Sequence, residues 1–597
     1  MSSNQTYPKA FDPKPYAGKT VHLVIGIDVG TMYSGVSYSV LRPGEVPKAQ
    51  TVTRFTDQTS GDHKIPSIMY YDNSLKVRAA GATAVTESIK HEAEFEGWYK
   101  VEYFKLHLRP SNMRLNTNEL EIKALPPSLT AVGVMGDFLG YLFQETLKYI
   151  RSHHTDGEDI ITQTKNRITF VLSHPNGWAG LPQQKLREAA IHGGLIEDTT
   201  FGKSRIRFVS EGEASALACL ASHLCPPDLK PGYRFTIADA GGGTLDITSY
   251  EITHTSPVRM KEITSSDCRF AGSIFVNMKM KELLEKKLAG SHYLHPELLE
   301  EIVNETFENT TKREFAESTK ICWLQVGGRT ETNPALGIRK GTLRLDGTEL
   351  ANCFTFPISE ALQSIRQQRS ACGTERLPVW LVGGFGSSPY LYNELKRELE
   401  ADGVSLSRPD INISKAVANG DIYYALEHVV TGRVTKMTYG VECDVCYKPS
   451  DPDHVRRKHK VYNDVAGRQM LPSRFRPIVA KNAEVKETDA FAEWFTLYVP
   501  EGQDASSVEL LYGYDGPAKD TMWADENRKS LNTLCCVSFD FTHLCKPENI
   551  LICNGERFWV IKFQYEILFG STELFIRAKW EEDGKTRFGP ASIFYAD

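Results

Sequence analysis

The sequence predicts an α/β chain that passes, after about residue 432, into an antiparallel β domain. Three observations carry that reading. Two apolar strands each run through an Asp into a glycine turn and resume as a second strand, over Val21–Val40 and Phe235–Tyr250. Strand-like runs then alternate with stretches of helical periodicity. Beyond Gly432, strand-like segments dominate and no helical bundle follows.

Taken in order, residues 1–19 are polar, contain three prolines and read as a flexible leader. Val21–Asp28 is an apolar strand that ends in a glycine turn and resumes at Gly35–Val40. Between about 58 and 132 the pattern is mixed, with a helix expected at Ala80–Phe104. Leu139, Phe143, Leu147 and Ile150 recur at helical spacing. A strand at Arg167–Ser173 leads through a Pro/Gly loop to a helix at Leu181–Gly193. The second hairpin, Phe235–Asp239 and Leu245–Tyr250 around Gly241–Gly243, repeats the first and implies an internal pseudo-repeat. Charged helical stretches are expected near 276–290 and 298–321. Leu377–Gly384 reads as a buried strand running into glycines, and Pro389–Ala401 as the helix after it. In the last third, strands are expected at Phe491–Val499, Val508–Tyr512, Phe558–Leu568 and Thr572–Trp580. Lys562–Ile567 alternates cleanly, so one face meets water, and Gly570-Ser571 fits a hairpin turn.

Composition narrows the function classes. The 597 residues correspond to about four folding units. Lys and Arg total 69 against 75 Asp and Glu, a net charge of −6, which argues against a general nucleic-acid binder. With 41% hydrophobic and 24% charged residues, the chain is of ordinary globular composition. The first residues lack the apolar run of a secretory signal, and no apolar stretch is long and unbroken enough for a membrane-spanning helix. Twelve cysteines are then expected as free thiols in a reducing compartment. A cytoplasmic location, with the nucleus as the alternative, follows by exclusion, and the sequons at Asn4, Asn304 and Asn309 carry no weight.

The chemistry concentrates at the glycine turns. In Gly26–Tyr33, Gly30 can adopt positive φ and leave backbone N–H groups exposed beside the Thr31 hydroxyl as a nest for a phosphate. Asp28 stands where it can hold water on a divalent cation bound to that phosphate. Asp239–Asp246 repeats the device, with Asp239 before the Gly241-Gly242-Gly243 turn and Asp246 on the returning strand. Carboxylates facing phosphates need an intervening cation, and Mg²⁺ suits because it keeps its waters and takes few carboxylates.

With those residues in view, the chain resembles the actin-like ATPase superfamily, and within it the Hsp70 family. Gly26–Val36 resembles the family's first phosphate segment and Ala238–Asp246 its second. Val209–Leu217, with Glu211 in the acidic place, resembles the first connecting segment. Leu381–Pro389 resembles the adenosine segment, and Lys415–Leu426 the second connecting segment. These five stand in the family's order over about two thirds of the chain.

The resemblance implies a two-lobed actin-like (ribonuclease H-like) ATPase fold with ATP or ADP and Mg²⁺ in its cleft. It places a nucleotide-binding domain at about 20–430, its lobes at about 20–230 and 231–430, with inserted subdomains near 58–132 and 268–373. Asp28 and Asp239 match the residues that hold the hydrated cation. Gly30, Thr31, Met32, Tyr33, Gly241, Gly242, Gly243 and Thr244 fall on the phosphate loops. Glu211 and Asp246 match the acids that orient the attacking water. Lys105 is the candidate catalytic lysine, with Lys100 its rival. Gly272, Lys312, Arg313, Gly383, Gly384, Phe385 and Ser387 fall on the nucleoside side. Hydrolysis in such a site needs an in-line water and neutralised phosphate oxygens rather than a covalent nucleophile.

The chain also departs from the family. Phe385-Gly386-Ser387 stands where typical members carry an adenine-stacking arginine. Glu308 precedes the Lys312-Arg313 pair by four residues instead of three, and Ser266–Gly272 matches its glycine-rich segment only loosely. No acidic, leucine-rich linker precedes residues 431–597, and too little chain follows the last strands for a helical lid. This arrangement is similar to the lid-less heat shock 70 kDa protein 12 group and its fungal cousins. Protein clients or partners would then engage the C-terminal β domain, with the oligomeric state left open. Two further readings stand beside the ATPase: a nucleotide-binding scaffold with negligible turnover, and a sugar kinase of the same superfamily.

Other signals carry less. Gly18-Lys19-Thr20 ends like a Walker A loop, but residue 13 is Pro where that motif needs Gly. Cys443 and Cys446 have metal-ligand spacing, yet no second CxxC or CxxH lies close by, so buried thiols are expected. The basic run Arg456–Lys460 is expected to be a solvated loop.

Overall fold

The computed structural model describes residues 14–59, 64–110, 113, 122–222, 229–373, 377–408, 416–427, 429–517, 523–553, 555–569, 573–582, 584–589 and 592–595. Most of the expected leader, Lys415 and the Gly570-Ser571 turn lie outside the described residues. The chain divides into two compact units, Met1–Trp178 with Lys185–Val430, and Ala179–Gln184 with Thr431–Asp597.

The first unit is built on two mixed sheets with one plan. In the first, His22–Asp28 pairs antiparallel with Tyr33–Leu41 and parallel with Ile168–His174, which runs parallel to Ile206–Ser210. In the second, Arg234–Ala240 pairs antiparallel with Leu245–Thr255 and parallel with Val379–Val382, which runs parallel to Leu406–Ser407. The repeat seen in the Asp–Gly turns therefore extends to strand order. The inner strands of both hairpins are buried along almost their whole length, because helices cover both sheet faces. Ala131–His153, started by Thr130 accepting the Gly133 N–H at 3.0 Å, sets Phe143 edge-on to Phe170 of the first sheet. Gly347–Cys372 serves the second, Gln368 accepting from Ser249 at 2.9 Å.

Two helical expectations are corrected. Over Ala80–Phe104 the helix covers only Glu87–Glu96, because Gly97 turns left-handed at φ 67° and the chain leaves as the strand Tyr99–Glu102. That strand joins Ile68–Tyr71 and Val77–Ala80 in a small sheet. Over 298–321 the helix is broken into Pro296–Glu301, one π-helical turn at Ile302–Phe307, and Thr311–Glu314. Cys322–Gln325 is a strand paired with Thr342–Leu345.

The second unit is a pair of antiparallel sheets. One sets Thr438–Cys446 between Gln469–Val479 and Ser506–Tyr514, with Leu531–Asp540 outside. The other sets Glu556–Phe569 between Ala490–Pro500 and Leu574–Glu582. Val441, Leu511 and Val537 of the first share a core with Ile561, Phe563 and Ile576 of the second.

Two side-chain expectations fail here. Cys446 is exposed and Cys443 half-buried, because residues three apart on one strand face opposite ways. The basic run is not simply solvated. Arg457 is 1% exposed, paired with Asp525 at 2.6 Å and with Glu526, its guanidinium 4.1 Å from the centre of the Trp523 ring. Arg456 alongside it bridges Asp453 and Glu526, each at 2.9 Å, yet remains 56% exposed.

Candidate functional site

Both hairpins end at one cavity. In the first, Asp28 closes its strand opposite Gly35; in the second, Asp239 sits directly across from Asp246. The turn glycines owe their identity to space rather than to backbone sign: the positive φ open to Gly30 is not used, and none of Gly30, Gly241, Gly242 and Gly243 has it. A Cβ on Gly30 would lie 2.2 Å from the Tyr33 carbonyl oxygen, and one on Gly243 would lie 2.5 Å from the Thr31 hydroxyl. The two turns are thus packed on each other, the second against Thr31 and Met32 of the first. Gly383 does need positive φ, at 85°, and also brings its Cα so near Asp239 that a Cβ would meet the carboxylate at 2.3 Å.

The cavity measures ≈ 280 Å³, room for a small molecule rather than a macromolecular groove. Of the site residues expected from the sequence, all but Asp246 and Gly272 line it. Asp246 is buried beneath the floor, accepting the Asn176 N–H at 2.5 Å. Gly272 backs the second turn, its N–H on the Gly243 carbonyl at 3.1 Å.

Local structure holds each charged group in place. Ser210 accepts the Glu213 N–H at 3.2 Å, so the helix Glu211–Ala221 begins at Glu211 and points that carboxylate into the cleft. Lys105 sits in the short turn Phe104–Leu108, anchored by buried Phe104 against Phe138. Its ammonium meets Glu211 at 2.6 Å, both side chains almost fully buried. Lys100, the rival, pairs with Glu102 at 3.1 Å and does not line the cavity. Among the residues expected on a nucleoside side, Lys312 is buried with Glu308 at 2.6 Å, although the two lie four residues apart. Phe385 is buried against Phe354 and lies 5.9 Å below the Lys312 ammonium.

The sequence reading missed Lys64, Ser273, Ser388 and Val417 in the lining. Lys64 has no motif around it. Pairing of Ile65 with Ser34 and of Pro66 with Tyr33 brings it to Asp28, Nζ to Oδ2 2.7 Å. Asp421 was also missed; fully buried, it packs against Gly26 so closely that a Cβ there would lie 2.6 Å from its own.

The electrostatics are those of crowded, dehydrated carboxylates. Burial, then the charge of Glu211, pushes Asp239 up to about 7, although the Ser215 hydroxyl donates to it at 2.5 Å. Burial raises Glu211 as well, with Lys105 only partly offsetting it, and burial plus Glu211 pushes Asp246 well above the carboxylate range. Burial pulls Lys105 down, but Glu211 and Asp28 outweigh it and hold the ammonium above its ordinary value. Burial lowers Lys312 despite Glu308. Crowded carboxylates of this kind favour an incoming positive charge.

Among the described residues, no three His, Cys, Asp or Glu side chains are grouped to hold a metal by themselves. An ion entering here has to bring ligands with it, waters or phosphate oxygens, which is the habit of Mg²⁺. Among the described residues no helix is long and apolar enough to cross a membrane.

No protein-family model matches the chain. It is 21% identical over 500 residues to Heat shock 70 kDa protein 12B of Homo sapiens, with 70% of this chain and 71% of that protein covered. Over 503 residues it is 19% identical to Heat shock 70 kDa protein 12A of Mus musculus, with 71% and 72% covered. Similarity at this level marks a remote relationship to the Hsp70 superfamily.

Proposed function

We propose that the chain is a divergent Hsp70-like protein that binds ATP and ADP with Mg²⁺ in this cleft, hydrolyses ATP slowly, and couples the nucleotide state to a protein partner. The observation that carries this reading is the pair of Asp–glycine hairpins packed turn on turn at one cavity, with the Lys105–Glu211 pair among their carboxylates. Residues 20–430 then form the nucleotide-binding domain, in two lobes that meet near residue 230, with the inserted subdomains at about 58–132 and 268–373. Residues 431–597 form the partner-binding β domain, which leaves Trp494, Ile552 and Phe575 exposed.

The roles follow from the chemistry of each group. Thr31 and Thr244 and the turn N–H groups bind phosphate oxygens. Lys105 balances charge that develops on the transferred phosphoryl group. Glu211 positions water, with the buried carboxyl of Asp246 behind it, and raised affinity for protons suits Glu211 to take one from that water. Mg²⁺, when bound with its waters, neutralises phosphate charge, and Asp28 and Asp239 are the residues to hold it. Phe385, Lys312, Arg313, Gly384 and Ser387 enclose the nucleoside side without a stacking arginine.

A scaffold that binds nucleotide without turnover is the second reading, favoured by one feature: Lys105 and Glu211 already neutralise each other at 2.6 Å. Titration of ATP into the full chain with Mg²⁺, alongside phosphate release and Asp28→Ala and Asp239→Ala controls, separates the two. Release above both controls supports the hydrolase; tight binding without release leaves the scaffold. ATP consumed only when a sugar is added, without free phosphate, points to a kinase, and absence of any nucleotide binding removes all three.

A further inference from the structure

Lys64 has a position that neither its sequence context nor the nucleotide reading assigns. Its backbone is fixed by the first phosphate turn. Ile65 and Pro66 pair with Ser34 and Tyr33, the Ser67 N–H donates to the Met32 carbonyl at 2.8 Å, and the Ser67 hydroxyl donates to the Gly30 carbonyl at 2.8 Å. The side chain passes over Gly35, where a Cβ would lie 3.4 Å from its Cγ, and delivers the ammonium to Asp28 with 16% of the side chain exposed. The stem is held while the charged end faces the cavity.

Charge balance shows what that ammonium does. Among the described residues, four carboxylates and four cationic side chains line the cavity. Glu211 takes Lys105 and Glu308 takes Lys312, so Lys64 is the cation on Asp28. Its field also reaches Glu211 and Asp239. Without Lys64 the lining would hold four acids to three bases, with Asp28 stripped of its ion-pair partner before any polyphosphate entered. A lysine ammonium is a compact point charge on a flexible stem, able to leave a carboxylate for a phosphate oxygen without breaking a bidentate geometry.

We propose, on the premise that the cleft takes a nucleotide, that Lys64 is a built-in counter-charge for the polyphosphate, standing on the carboxylate otherwise assigned to the hydrated cation. The chain therefore retains nucleotide affinity when divalent cations are withdrawn. A merely structural Lys64–Asp28 pair, holding the turn in shape, would support binding equally with and without the metal.

The test is the ratio of ATP affinities in EDTA and in Mg²⁺, measured by calorimetry on the full chain, wild type beside Lys64→Gln and Lys64→Arg. Circular dichroism and melting confirm that each variant is folded. Wild type is expected to lose no more than about tenfold in affinity on chelation, a modest loss for a site with its own phosphate cation. Lys64→Gln is expected to widen that ratio by about tenfold or more, and Lys64→Arg to restore most of it. An unchanged ratio in Lys64→Gln overturns the inference, whatever happens to absolute affinity. So does a wild type that binds ATP only with Mg²⁺, which leaves the nucleotide reading standing. A wild type that binds no nucleotide under either condition removes the reading and the inference together.

Discussion

Two clusters of buried charge in the molecule are built in opposite senses. In the cleft, Glu211, Asp239 and Asp246 crowd together, and burial drives all three toward the protonated form. In the C-terminal unit, burial acts the same way on Asp525, but Lys460 and Arg457 outweigh it and hold the carboxyl below its ordinary value. Hydrogen bonding to Arg456 does the same for Glu526. For Asp453 the Trp523 N–H at 2.5 Å, followed by Arg456, overcomes burial. The C-terminal cluster is an ion-pair staple already supplied with its cations. The cleft is short of positive charge at Asp239 and keeps that imbalance in the folded state. One region satisfies its charges and the other leaves some unsatisfied, the arrangement the proposed nucleotide and cation would complete.

The largest expected contrast is between Arg457 and Lys105. Arg457→Ala leaves two acids without their buried cation and is expected to cost about 3–5 kcal/mol, read as lost hydrogen-exchange protection within residues 431–597. Intact protection in that region would show that the Trp523 cage is dispensable. Lys105→Ala is expected to lower phosphate release about a hundred- to a thousandfold while ATP affinity changes much less. A parallel loss of affinity would make Lys105 a binding group only.

Next comes a substitution of opposite sign. Asp239→Asn removes a crowded negative charge at nearly constant shape and is expected to stabilise the empty first unit by about 1–3 kcal/mol, seen as a higher melting temperature, while phosphate release falls. A lower melting temperature would mean that the Ser215 hydrogen bond outweighs the crowding.

The pH response should part the two units in direction. Asp239 binds its proton more tightly folded than unfolded, so its contribution is complete below the unfolded carboxylate value of about 4 and is lost as pH rises toward about 7. The depressed Asp453, Asp525 and Glu526 do the reverse: their contribution is present above about 4 and disappears as pH falls through their folded values. Hydrogen exchange resolved by region at pH 7, 5 and 3.5 checks both slopes at once. The smallest effect is expected at Arg456, 56% exposed, where Arg456→Ala should cost less than about 1 kcal/mol and added salt should mask it. Arg456 and Arg457 are neighbours in sequence, and only burial separates their expected costs.

That last pair marks the limit of legibility. Arg456–Lys460 reads as one basic run, and nothing local tells Arg457 from Arg456, because Trp523, Asp525 and Glu526 arrive from about 70 residues away. Lys64 was hidden for the same reason: a strand pairing, not a motif, carries it to Asp28. The helix expected over Ala80–Phe104 failed locally, since the left-handed Gly97 stops it and the chain leaves as a strand. Cys443 and Cys446 show the converse, a spacing that suggests a shared site until the strand's two-residue period sends them to opposite faces.

What the sequence determined by itself is whatever depends on neighbours along the chain. The two Asp–glycine hairpins, their repetition, the long helices and the later strands follow from residue spacing, because turn geometry and apolar periodicity are set within a few residues. The tertiary structure alone decided which lysines reach which carboxylates, why the turn glycines must be glycine, and which carboxylates are dehydrated. Those outcomes depend on contacts between segments far apart in sequence. Burial and electrostatic coupling, unlike periodicity, exist only once such segments have met.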